Sequence, residues 1–145
     1  MHPILKNMLA ILVGLLIGGT VNMLIILNSA AIIPPPEGAD LTTAEGLLKA
    51  MELMEPKHFL LPFLAHALGT FVGAWLTSMI AASFQKWYSL SIGLLFFIGG
   101  TINVMSLPSP LWFNVSDLLL AYFPMAWLGW KLGGGKNNSL SHPKN

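Results

Sequence analysis

Four apolar stretches constrain this chain more than any other feature: residues 8–33, 58–82, 87–105 and 116–132. Roughly 20 apolar residues in a helix cross the hydrocarbon core of a bilayer. Lipid offers no hydrogen bonds, so a spanning segment must satisfy its backbone internally, as a helix or a closed barrel. Barrel strands alternate in polarity, and these runs do not. Punctuation agrees with helices. Pro34, Pro35 and Pro36 end the first run, and Pro56 sits where the first turn of the second tolerates it. Pro108 and Pro110 end the third, and Gly133, Gly134 and Gly135 end the fourth. Pro124 lies inside the fourth and predicts a kink. Charged residues make up 9% of the chain and the mean hydropathy is +0.69, whereas a soluble domain carries about 25% charged residues. The expected class is an all-α polytopic membrane protein. Residues 1–132 form four transmembrane helices, arranged as two pseudo-symmetric helical hairpins, with a short amphipathic outer helix at 41–55. Residues 133–145 read as a flexible cytoplasmic tail.

Charge placement predicts orientation. Lys6, Lys86, Lys131, Lys136 and Lys144 fall on one side of the spans, with no acid among them. Glu37, Asp40, Glu45, Glu52, Glu55 and Asp117 fall on the other, with Lys49 and Lys57. By the positive-inside rule both termini are cytoplasmic, in a cell inner membrane. The first run is too long for the apolar region of a signal peptide, and Gly18-Gly19-Thr20 interrupts it, so it reads as an uncleaved helix. In the outer loop, Asp40 or Thr42 caps a helix, with Thr42 and Glu45 spaced as a capping box. Its apolar face is Ala44, Leu47, Leu48, Met51 and Met54, and Glu45–Lys49 forms an i,i+4 pair on the other.

A repeated segment supplies the candidate site. Ile17-Gly18-Gly19-Thr20-Val21-Asn22-Met23 and Ile98-Gly99-Gly100-Thr101-Ile102-Asn103-Val104 agree at five of seven positions, 81 residues apart. Glycines let helix backbones approach closely, which assigns packing roles to Gly18, Gly19, Gly69, Gly73, Gly99 and Gly100. A membrane Asn needs a partner. With a helix rise of about 1.5 Å per residue, Asn22 and Asn103 lie roughly 22–24 Å from the cytoplasmic boundary. From the other side, His66 lies about 12 Å down and Tyr122 about 9 Å down. These four side chains therefore share a layer in the outer half of the bundle, with Asp117 about one turn above Tyr122. The expected site is a ligand-binding pocket of Asn22, His66, Asn103, Tyr122 and Asp117, open to the outside beneath the loop helix.

The leading reading is binding or translocation of a small ligand or ion in that layer. Two others compete with it. An intramembrane enzyme would use His66 as base or metal ligand, and an assembly module would pack its glycine faces in a homo-oligomer. A structural reading pairs His66 with Asn22 or Thr20. The partners expected are the lipid bilayer, a small ligand or ion, and a second copy. No resident cofactor is expected. Glu55 and His58 match Glu-x-x-His spacing and with His66 form a weak metal candidate, but Pro56 favours a capping role for Glu55. The chain has no cysteine, which removes thiolate chemistry, and a net charge of +1, which supplies no field for nucleic acid. It has no arginine to clamp phosphate or carboxylate.

Pro56-Lys57-His58-Phe59, the segment from Pro62 to Thr70, and the segment from Asp117 to Trp127 resemble a group of short, uncharacterised four-span bacterial integral membrane proteins. The resemblance covers most of the chain and implies a topology without an activity. Small multidrug transporters share the span count but use a glutamate in the first helix, which is missing here. Fluoride channels have a different glycine and arginine pattern, and four-span quinone-reducing thiol enzymes need cysteines.

Overall fold

The computed structural model describes residues 2–135, all of whose regular structure is helical. Four segments are long and apolar enough to cross a membrane: Pro3–Ile32, Pro56–Ile80, Gln85–Ser106 and Leu111–Leu132. The chain is a multi-pass membrane protein. Helix α1 (Pro3–Ile32) starts five residues before the expected boundary, because His2 caps it and Pro3 fits its first turn. After the proline run comes α2 (Ala44–Leu53). A 3-10 turn, Pro56–Phe59, leads into α3 (Leu60–Ile80). Phe84, in the left-handed region at φ 50°, turns the chain into α4 (Gln85–Ser106). The fourth span is two helices, α5 (Leu111–Leu120) and α6 (Phe123–Leu132). The expected kink is thus a break at Ala121 and Tyr122, with Pro124 in the first turn of α6. Pro124 cannot donate to a carbonyl one turn back, so the ladder restarts after it. Of the expected tail, residues 136–145 lie outside those described.

Helix α3 is the central element, packed against α1, α4 and α6. Its seam with α1 is built from glycine on both sides. A Cβ on Gly18 would lie 2.5 Å from the Gly69 carbonyl oxygen, and one on Gly73 would lie 2.7 Å from that of Gly14. Without side chains the backbones meet directly, which is how helices gain contact in lipid. Gly129 does the same for α6 against Phe71 and Trp75 of α3. Gly19 and Gly99 differ from expectation. An added Cβ meets nothing within 4 Å at either, so neither packs within the chain. The two repeat segments are consequently used unequally: Gly18 packs and its counterpart Gly99 does not, while Gly100 packs and Gly19 does not.

The end of the bundle that holds both helix termini Pro3 and Leu132 is tied by polar side chains. Asn7 donates to Ser83 Oγ at 3.0 Å and accepts from the Ala82 N–H at 2.7 Å. Thr77 donates to the carbonyls of Ala10 and Gly73, Ser78 to that of Trp130, and Ser89 to that of Ala74. The opposite end is closed by apolar packing of Met51 from α2 on Phe59 and Phe113. Helix α2 is shorter than the expected 41–55 and is capped by Thr43, which accepts from the Gly46 N–H at 3.0 Å. Asp40 instead accepts from Thr42 N–H and from the hydroxyls of Thr42 and Thr43. The covered face of α2 is Leu47, Ala50 and Met51, while Ala44 and Leu48 are exposed. Glu45 and Lys49 pair at 3.0 Å, as their spacing predicts.

Candidate functional site

His66 lies in the second turn of α3, where it faces α5 across the bundle. Its Nδ1 is 2.9 Å from both carboxylate oxygens of Asp117. Asp117 Oδ2 also accepts from the Tyr122 hydroxyl at 2.8 Å. Asp117 is 1% exposed and Tyr122 1%. Burying a carboxylate is costly unless it is paired and hydrogen-bonded, and here the two donors meet that requirement. An ionised carboxylate only accepts, so this contact holds a proton on His66 Nδ1 and leaves Nε2 of a neutral ring as an acceptor.

The break between α5 and α6 makes the arrangement geometrically available. Tyr122 leaves helical geometry at φ −114° and ψ −80°. Its ring enters the bundle beside Gly100, where an added Cβ would lie 2.5 Å from Cζ and 2.9 Å from Cε2. Gly100 is therefore the floor on which the tyrosine rests. Phe97 meets the Tyr122 ring edge-on, with centroids 5.9 Å apart, and the His66 ring lies 5.8 Å away on a third helix.

Beside this network is a cleft of about 360 Å³. Asn22, His66, Asn103 and Tyr122 all line it, together with Gly99 and Gly100. Its remaining walls are Leu15, Leu95 and Phe96. The cleft lies between α1 and α4, which touch each other far less than either touches α3. Neither Asn22 nor Asn103 makes a side-chain hydrogen bond among the described residues, and His66 bonds only through Nδ1. Thr20 and Thr101, the other polar members of the repeat, return their hydroxyls to carbonyls one turn back, at 2.8 Å in each case. The repeated segments thus bring two asparagines to one space and return two hydroxyls to the backbone.

No protein-family model matches this chain, and it has no significant match among the curated proteins or the solved structures. The site has to be interpreted from its own chemistry.

Four expectations need correction. Asp117 does not line the cleft; it stands behind His66, inside the bundle rather than among the loop acids. His66 pairs with Asp117, not with Asn22 or Thr20. Glu55, His58 and His66 do not converge. His58 receives the Glu55 N–H at Nδ1, 2.9 Å away, and its Nε2 is 3.0 Å from the Pro34 carbonyl, so both nitrogens are committed to the turn before α3. Among the described residues no three His, Asp or Glu side chains are grouped to hold a metal ion. No residue of α2 lines the cleft either, so the loop helix is not its lid. Sequence reasoning missed the Asp117–His66 pair. Both are ionisable residues within spans, which is a signal in itself, but 51 positions separate them and no spacing rule links them.

Proposed function

We propose that this protein binds a small ligand within the membrane, in the cleft between α1 and α4. One observation carries the reading: Asn22, Asn103 and His66 line one space of about 360 Å³, and neither amide nor His66 Nε2 has a hydrogen-bond partner among the described residues. That volume falls in the range of small-molecule sites, roughly 300–1,000 Å³. Polar groups at such depth are expensive to leave unpaired, and a ligand or ion relieves the cost. The Asp117 contact favours a prepared site, because it fixes the ring and tautomer of His66 before anything binds. The protein would sit in a bacterial inner membrane with both termini cytoplasmic, since the lysines outside the long loop are all at that end. The repeated Gly-Gly-Thr-x-Asn segments would then serve to place one amide on each wall.

The test compares the wild type in lipid nanodiscs with the double variant Asn22→Leu, Asn103→Leu by native mass spectrometry and thermal unfolding. A bound non-protein species that the variant lacks, with helix content unchanged, supports the reading. A wild type without any adduct, and less stable than the variant, overturns it, because the amides would then be unpaired polar groups only.

A further inference from the structure

The chemistry of the cleft narrows its occupant, provided that the cleft is a binding site at all. We infer that the ligand is an uncharged, lipid-soluble molecule whose hydroxyl donates a hydrogen bond to His66 Nε2. The first argument is charge. No lysine lines the cleft, and the one charged group beside it, the Asp117 carboxylate, already accepts from His66 and Tyr122. An anion would enter a low-dielectric site with no countercharge.

The second argument is the direction of the hydrogen bonds. Asp117 holds a proton on His66 Nδ1, so in the neutral form of the ring Nε2 is an acceptor. Its partner must bring an O–H or N–H. The Asn22 and Asn103 amides both donate and accept, so they accommodate the ligand's remaining oxygen whatever its role. A ketone, ether or ester offers only acceptors and leaves Nε2 unpaired.

The third argument is the route. Leu95, Gly99 and Asn103 form an i,i+4,i+8 stripe from the middle of α4 to its last turn, and all three are exposed. Leu15 and Asn22 of α1 face the same cleft. The opening is therefore on the flank of the bundle, at the level of the acyl chains. The α2 end is closed over α3 and α5 by Met51, Phe59 and Phe113. An apolar tail that remains in the bilayer needs no room in the cleft, and only the polar head has to fit.

The experiment uses 4-octylphenol and its methyl ether, 4-octylanisole, as probes against the full chain in nanodiscs. The two share ring and tail and differ in the donor. Saturable binding is read by equilibrium dialysis above the partition into empty nanodiscs. The phenol is expected to bind about tenfold more tightly than the ether, as for one lost bond to a buried acceptor. Gly99→Leu, which adds bulk where a Cβ meets nothing, should abolish saturable binding of both probes without disturbing the fold. His66→Gln should erase the preference for the phenol. Equal affinity for phenol and ether at a Gly99-sensitive site would overturn this inference and leave the cleft reading intact. Saturable binding that Gly99→Leu does not affect, or no saturable binding of either probe, would also overturn it; the adduct experiment above then decides the cleft reading separately.

Discussion

At the residue scale, adjacent glycines have opposite requirements. Gly100 supports the Tyr122 ring, and a methyl group there overlaps it. Gly100→Ala should displace Tyr122, break its bond to Asp117 and lower the unfolding temperature. Gly99→Ala meets open space and removes a flexible residue from a helix interior, so it should be neutral or stabilise by about 0.5–1 kcal/mol. Thermal unfolding of the pair in one detergent checks both. Asp117 has a larger effect. Replacing His66 by Ala leaves a buried carboxylate with Tyr122 alone, a loss of about 3–5 kcal/mol for breaking a buried pair. Adding Asp117→Leu to that variant should recover much of the loss, because the second change removes the unpaired charge. A double-mutant cycle in denaturant measures the coupling. The grouping of Asp117, His66 and Tyr122 was legible beforehand, but the bond between Asp117 and His66 was not. Rise per residue put His66, Tyr122, Asn22 and Asn103 at one depth, since that distance is fixed by helix geometry. Which way each side chain points depends on helix rotation and on the break at Tyr122, which no local spacing encodes.

At the element scale, α2 is held by a cluster of short polar side chains. The Thr42 hydroxyl, the Thr42 N–H and the Thr43 hydroxyl all donate to Asp40 and hold its carboxyl down at about 2, against an ordinary 3.8. A depressed pKa means that this contribution is fully present above the unfolded value. It is lost as pH falls from about 4 through about 2. Protection of the α2 amides, relative to their intrinsic exchange rates, should therefore fall over that window, and Asp40→Asn should flatten the response. Thr43→Ala should cost about 1 kcal/mol of helix stability by removing the cap on Gly46, seen as the same loss of protection at neutral pH. The sequence offered Asp40 and Thr42 as caps, and the helix uses Thr43 instead. The choice among them follows from Asp40 taking three donors at once, a preference that composition does not express. The spans were easier to read, because lipid forbids most alternatives. Their errors fell at the ends, where His2 and Pro110 begin helices earlier than hydropathy does.

At the scale of the whole molecule, orientation is open to a direct test, because the chain has no cysteine of its own. Glu37→Cys should react with a membrane-impermeant maleimide on intact cells, and His2→Cys only after permeabilisation. The reverse pattern would overturn the cytoplasmic assignment of the termini. The buried carboxylate has a further consequence, for biogenesis. The fourth span is the least hydropathic of the four and also carries Asp117. An acidic residue at the centre of a helix adds roughly 2.5–3.5 kcal/mol to the cost of transfer from the translocon into lipid, and Asp117, about two turns in from the end of its span, carries part of that cost. The span that bears His66 is made earlier in the chain, so a partner is already in the membrane when Asp117 arrives. Insertion of the last span would then be coupled to docking on α3. On that argument the contact that orients the histidine would also receive the last span during synthesis, and a His66→Leu chain should leave a fraction of its C-termini on the wrong side of the membrane.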